Sequence, residues 1–309
     1  MKCLVTGATG FIGRQLCHLL AEHGHQVLAY SRAGQPLDDG SATQPVDFRH
    51  ESISETALAA ADVVFHLAGI AHQNALAADY ETVNYRASVE LARRACSAGV
   101  QKFLFLSSVK AMGEGSAGQE RAESDCSLPQ DAYGLSKWQA EAAINRDLGD
   151  AANSICIIRP ALVYGQQPKG NLATLARAVA LGLPEPPEIG ARSMIGVNDL
   201  CRLMLVLAAE GHAGVSTYIA TDGERYSTQR IYRAIRRTQG RPPARHWCPR
   251  WVWRAGSAVL DVRDSGAAQS TWDKLFGSEL YSNTQVLRST SWRPADQLED
   301  ILVGQGIRP

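Results

Sequence analysis

Met1-Lys-Cys-Leu-Val-Thr-Gly7-Ala-Thr9-Gly10-Phe11-Ile12-Gly13 opens the chain. The apolar run Cys3-Leu4-Val5 leads straight into the three glycines, and Leu16, Leu19 and Leu20 beyond them recur at helical spacing. This order predicts a strand, a tight turn and a helix N-terminus. At such a junction, unused backbone N–H groups and the positive end of the helix dipole face one point, which suits a pyrophosphate. Glycine permits the left-handed turn and a close approach of backbone to ligand. The spacing Gly7-x-x-Gly10-x-x-Gly13 is one residue off the G-x-G-x-x-G dinucleotide pattern. Taken alone, it fits a ligand-free strand–helix turn as well.

Moving outward, Gly24–Tyr30 reads as a turn and a strand. The strand ends at Ser31-Arg32, roughly 20 residues past the glycines, where an acid would hold a ribose 2′-hydroxyl. An arginine there can instead pair with a 2′-phosphate through a charge-assisted contact, which favours NADP(H) over NAD(H). The competing reading is a solvated loop arginine. Further strand signals fall near residues 45, 63, 103 and 155, alternating with helical stretches at 53–61, 80–98 and 131–148. The alternation predicts an α/β fold, a Rossmann-type doubly wound parallel sheet covered on both faces. Residues 1–165 form the expected dinucleotide-binding domain. Residues 166–309 form a smaller substrate-binding lobe, with a strand near 216–220 able to return to the main sheet.

Composition narrows the class. The 309 residues hold 31 basic and 31 acidic side chains, so no global field recruits nucleic acid or a membrane surface. The seven cysteines are scattered and never paired as C-x-x-C, which argues against a disulfide framework or a metal site and fits a reducing cytoplasm. No apolar run approaches the ~20 residues of a membrane span, and none precedes the first strand as a leader. Residues 225–254 carry nine arginines and no acid, with Trp247, Trp251 and Trp253 at their end. Lipid headgroups or an anion are one reading of that patch; solvated amphipathic helices around a small apolar core are the other. Five of the six tryptophans lie beyond residue 246, as if building that small core.

The chemistry-bearing pattern is Tyr133-x-x-x-Lys137. Residues four apart share a helix face, so a phenol and an ammonium can flank one site. The ammonium is expected to pull the tyrosine below its usual value near ~10, fitting it to exchange the proton that accompanies hydride transfer. Ser108, at the end of the strand near 103, can bond the same substrate oxygen. His66, on the buried run Asp62–Gly69, reads as a core histidine.

Gly7-x-x-Gly10-x-x-Gly13, His66-Leu67-Ala68-Gly69, Asn84, Ser107-Ser108, Tyr133-x-x-x-Lys137 and Arg159-Pro160-x-x-x-Tyr164-Gly165 stand in the order and spacing of the extended short-chain dehydrogenase/reductase family. The chain resembles that family over essentially its whole length, most strongly over residues 1–165. It is most similar to the epimerase/dehydratase type, in the nucleotide-sugar branch of bacterial surface-polysaccharide synthesis. The resemblance implies that Tyr133 is the acid/base, Lys137 its electrostatic partner and ribose anchor, and Ser108 the substrate hydroxyl contact. It places Gly7, Thr9, Gly10, Phe11, Ile12, Arg32, Leu67, Ala68, Gly69, Asn84 and Pro160 around the cofactor, with Asp47 and Phe48 bordering the adenine. Asn171 and Arg192 resemble residues that bind the nucleotide-sugar diphosphate or its sugar. It also implies a homodimer, pairing helices around 83–98 and 135–148.

Within that branch, a 4,6-dehydratase would carry Asp-Glu directly after the active-site hydroxyl, where this chain has Val109-Lys110. An epimerase retains its cofactor, whereas a reductase exchanges it at every turnover and usually draws on NADPH, which Arg32 suits. The leading expectation is therefore an NADPH-dependent 4-keto-reductase of a UDP-4-keto-6-deoxy-N-acetylhexosamine. A UDP-hexose or UDP-N-acetylhexosamine 4-epimerase is the alternative. A non-catalytic NADP-binding regulator is the third reading, although it has no need of Ser108, Tyr133 and Lys137 together.

Overall fold

The computed structural model describes residues 1–71, 75–116, 118–166, 170–210, 212–242, 248–263 and 270–303. In chain order its first half comprises β1 (Lys2–Thr6), α1 (Phe11–Glu22), β2 (Gln26–Ser31), β3 (Gln44–Pro45), α2 (Glu55–Ala59), β4 (Val63–His66) and α3 (Ala77–Asp79). A π-helical turn (Tyr80–Arg86) then runs into α4 (Ala87–Ser97), followed by β5 (Lys102–Leu106), a short 3₁₀ turn (Val109–Met112), β6 (Glu120–Arg121), α5 (Ala132–Leu148) and β7 (Ser154–Pro160). The second half adds β8 (Leu162–Tyr164), α6 (Gly170–Ala180), β9 (Met194–Gly196), α7 (Val197–Glu210), β10 (Gly214–Ala220), α8 (Thr228–Thr238) and α9 (Arg250–Arg263). It closes with α10 (Thr271–Phe276), β11 (Leu280–Tyr281), α11 (Thr284–Ser289) and α12 (Leu298–Val303).

Seven strands form one parallel sheet in the order β10-β7-β5-β4-β1-β2-β3. Its central strands are apolar on both faces, as a sheet covered twice requires, and Val63–His66 is buried throughout. Leu16 and Leu20 of α1 with Leu200, Leu203, Met204 and Leu207 of α7 cover one face. Val89, Ala92 and Ala95 of α4 with Ala140, Ala143 and Ile144 of α5 cover the other. The strand expected near 216–220 is β10, paired in parallel with β7 from Gly214↔Ser154 to Ala220↔Pro160. The chain reverses direction across the sheet between β1 and β4, so a crevice opens at the carboxyl ends of those two strands.

Three sequence expectations change here. The stretch 80–98 is not one regular helix, because it opens with the π-helical turn. The Gly-, Ser- and acid-rich segment 113–131, whose composition predicts a loop, is not all loop, since Glu120-Arg121 pairs with β11. Trp292 does not build the small lobe: it is buried in the main core, and its indole N–H donates to the Asp199 carbonyl at 3.1 Å. Asp199, fully buried on α7, accepts from the backbone N–H groups of Ala295 and Asp296 at 3.0 and 2.8 Å. That contact fastens the C-terminal segment to the sheet's cover.

The lobe core gathers Tyr164, Leu172, Val179, Met194, Tyr226, Ile231, Tyr232 and Leu298. Its arginines are largely engaged by the protein itself. Arg225 pairs with Glu120, Arg233 with Glu185, and Arg230 with both Glu224 and Glu299. Arg241 donates to the carbonyls that end α6. These contacts favour the solvated-helix reading of the patch; Arg245 and Trp247 lie outside the described residues. Among the described residues, no helix is long and apolar enough to cross a membrane.

Candidate active site

The glycine turn sits at the sheet's reversal point. Gly7 has φ of 69°, and a Cβ there would lie 2.8 Å from the Ala68 amide nitrogen, so the loops after β1 and β4 meet only because Gly7 lacks a side chain. A Cβ on Gly13 would lie 2.2 Å from the Gly7 carbonyl oxygen, which binds the first turn of α1 to the loop. Gly10 is the N-cap of α1 and offers no side-chain cap. The N–H groups of Phe11 and Ile12, in the first helical turn, have no helical acceptor. A cradle that a Cβ would fill, closed by an uncapped helix N-terminus, fits a dinucleotide pyrophosphate.

Farther along that edge, Ser31 ends β2 buried, its hydroxyl 2.7 Å from that of Thr43. Arg32 follows it exposed, with no ion-pair partner among the described residues. Asp47 and Phe48 lie just past β3. The Asp47 carboxylate accepts from the Arg49 N–H at 3.0 Å, and the Phe48 ring meets His66 edge-on at 5.6 Å.

The loop after β4, Leu67-Ala68-Gly69, is pinned from behind. The Thr6 hydroxyl accepts from the Ala68 N–H at 3.1 Å and bonds His66 Nδ1 at 2.7 Å; His66 Nε2 bonds Ser88 at 2.9 Å. Burial drives His66 down to about 3, so it is a neutral bridge between strands and helix, as its place on a core strand implies. Asn84, fully buried in the π-helical turn, clamps Ile70 with two bonds: Oδ1 accepts from its N–H at 2.7 Å and Nδ2 donates to its carbonyl at 2.9 Å. Nδ2 also donates to Ser136 at 3.2 Å, joining this loop to α5. A π-helical turn sets such a side chain out of ordinary helical register, a device common at functional sites.

Asp131 caps α5, its carboxylate accepting from the Gly134 N–H at 2.8 Å. That cap starts the helix one residue before Tyr133 and sets the direction of its first turn. The Ser108 hydroxyl lies close enough to the Tyr133 phenol to favour its ionised form, and the Tyr80 ring lies edge-on to Tyr133 at 6.2 Å. Lys137 Nζ is buried, donates to the Leu106 carbonyl at 2.9 Å and lies 4.6 Å from the Phe105 ring centre. The expected lowering of Tyr133 by Lys137 is not what this arrangement gives. Burial raises Tyr133; the Ser108 hydroxyl opposes that rise, while Asp131 and Tyr80 add to it. The ammonium is spent on Leu106, and its own burial pulls it down to about 8. The site thus holds a protonated phenol beside a cation that can lose its charge near neutral pH.

Pro160 ends β7 opposite Ala220. On the lobe side, Arg192 lies on a backbone bridge to Tyr226 and Glu279, and Lys110 Nζ reaches Glu279 at 3.3 Å, so one ion pair links Arg192's surroundings to the Ser108 strand end. Burial lowers Arg192, and Glu279 opposes that. Lys169 and the side chain of Asn171 lie outside the described residues. Sequence reasoning passed over Glu141, although it stands one turn beyond Lys137 on the same face.

The family model "NAD dependent epimerase/dehydratase family" matches residues 3–220. The UDP-glucose 4-epimerase of Vibrio cholerae is 29% identical over 307 residues, 96% of this chain and 92% of that protein. A 4-hydroxy-2-methyl-3-oxo-4-farnesyl-3,4-dihydroquinoline-1-oxide ketoreductase of Stigmatella aurantiaca is 26% identical over 248 residues, 78% of this chain and 74% of the relative. Among solved structures, MoeE5 in complex with UDP-glucose and NAD superposes with a TM-score of 0.76 at 25% identity, covering 99% of this chain and 97% of that one.

Proposed function

The chain belongs to the NAD-dependent epimerase/dehydratase family, and from that premise we propose that it is an NADPH-dependent 4-keto-reductase of a UDP-4-keto-6-deoxy-N-acetylhexosamine. The observation that carries the direction of reaction is Tyr133. It is held in its protonated form by burial, beside Ser108, so it is set to give a proton rather than to take one.

A bound dinucleotide supplies hydride to the carbonyl carbon at C4. As that bond forms, the carbonyl π electrons move to oxygen, and Tyr133 protonates the developing alkoxide. Ser108 holds the same oxygen, and solvent returns the proton to the phenol. Lys137 places positive charge beside the site where negative charge develops, worth most in a dry pocket. Gly7, Gly10 and the first turn of α1 seat the pyrophosphate, Leu67–Gly69 and Asn84 border the cofactor, and Arg32 takes the 2′-phosphate. Arg192 and Asn171 are the residues this reading assigns to the nucleotide-sugar diphosphate. The same reading includes a cytoplasmic homodimer through α4 and α5.

The 4-epimerase is the second reading, favoured by the relative from Vibrio cholerae. The two differ in cofactor retention. A reductase purified through extensive dialysis should release no stoichiometric nucleotide on denaturation and should bind NADPH afresh. One NAD per chain carried through dialysis would replace this proposal with the epimerase.

A further inference from the structure

Three consecutive residues at the end of β5 are held by α5 at successive helical turns. Ser108 stands beside Tyr133. Lys137 Nζ donates to the Leu106 carbonyl at 2.9 Å. The Ser107 hydroxyl donates to the Glu141 carboxylate. Residues 133, 137 and 141 share one helix face, so they form a ladder of three rungs against one strand end.

The third rung is a buried carboxylate, with Glu141 only 3% exposed. A buried carboxylate needs a counter-charge, and Arg159 of β7 supplies it, with Nη2 at 2.6 Å and Nε at 3.1 Å from both carboxylate oxygens. Arg159 Nη1 then donates to the Glu123 carbonyl at 2.9 Å, and the Glu123 carboxylate accepts from the Ile219 N–H of β10 at 2.8 Å. The pair therefore joins α5 to the ends of β5, β7 and β10, beside the candidate site.

We propose that Glu141 is a positioning residue of this site, keeping Ser107-Ser108 in register with Tyr133 through the Ser107 bond. Its carboxylate also stands one helical turn beyond Lys137, where a negative charge favours the ammonium. It acts through Ser107 and Lys137. The catalytic half of the proposal rests on the assignment of Tyr133 and Lys137 to proton transfer. The charged or titratable groups around Lys137 are Tyr133 and Glu141 on α5, Arg159 behind Glu141 on β7, and neutral His66 on β4. Desolvation lowers Lys137 to about 8, and Glu141 opposes that fall. Glu141→Gln keeps an acceptor for Ser107 but removes the negative charge and leaves Arg159 positive. Both changes favour a neutral amine at Lys137.

The chain has only six lysines, so carbon-13 labelling at lysine Cε resolves them, with Lys137→Met assigning the signal. In the cofactor-free protein, Lys137 should titrate near pH 8, and Glu141→Gln should move its midpoint down. The basic limb of the pH–rate profile should move down with it. Where Glu141→Gln alone does not fold, Glu141→Gln with Arg159→Met leaves no unpaired buried guanidinium and should give a smaller shift of the same sign. An unchanged Lys137 midpoint in either folded variant overturns the proposal. Lys137→Met that binds and turns over normally overturns the site assignment instead, and the midpoint reads Glu141 separately from it.

Discussion

The ammonium of Lys137 is bonded to the carbonyl of Leu106 at 2.9 Å, one residue before the serine pair that faces Tyr133. The lysine therefore fixes the strand end first and influences the phenol only at second hand, while burial governs Tyr133 itself. An acid held protonated next to a hydroxyl is what a ketone reduction asks of its protein.

Tyr133→Phe removes that acid and leaves the ring packed against Tyr80. Turnover should fall by about 100- to 10,000-fold, the usual contribution of a positioned acid, while cofactor affinity stays within about twofold. Stopped-flow reduction and a separate fluorescence titration of NADPH measure the two quantities.

Arg32→Ala removes an exposed cation at the end of β2 and should not disturb folding. If Arg32 holds a 2′-phosphate, NADPH binding should weaken by roughly 10- to 100-fold, the range for a lost charged hydrogen bond. NADH binding should hardly change. Equal effects on both cofactors would remove Arg32 from that role.

Gly7→Ala demands a left-handed residue at φ of 69° and drives a methyl to 2.8 Å from Ala68 N. The conformation alone costs about 1–2 kcal/mol, and the clash parts the two loops that border the cofactor. Thermal melting should show lower stability, and dinucleotide binding should fall by more than stability explains.

His66 weakens the fold in acid. Its folded value is about 3, against 6.5 for the free side chain, so below pH 6.5 the unfolded chain binds a proton that the folded chain does not. Its contribution to stability is complete above pH 6.5 and is lost at up to roughly 1.4 kcal/mol per pH unit as pH falls from there toward 3. Melting between pH 7 and pH 4 should show this slope, and it should flatten in His66→Gln.

Much of this was legible in the chain because it is local. The glycine turn, the strand runs and the Asp131 cap announce themselves within a few residues, and the sheet follows from their alternation. What escaped depends on partners far apart in sequence. Glu141 meets Arg159 and Ser107 only across the fold, Lys110 finds Glu279 in the lobe, and Trp292 returns to cover the sheet through Asp199. The π-helical turn holding Asn84 was hidden for another reason: Val83, Ala87, Leu91 and Ala95 keep a helical rhythm, and periodicity does not register one extra residue in a turn. The pull of Lys137 on Tyr133 was misjudged because spacing gives the shared face but neither the acceptor that captures the ammonium nor the depth of burial.

The most direct test supplies the purified protein with a UDP-4-keto-6-deoxy-N-acetylhexosamine and NADPH and follows absorbance and product together. The account predicts one NADPH oxidised for each 4-hydroxy sugar formed, and no interconversion of UDP-sugars without added cofactor. Interconversion of UDP-hexoses with no cofactor added, and no NADPH consumed on the keto sugar, would contradict it.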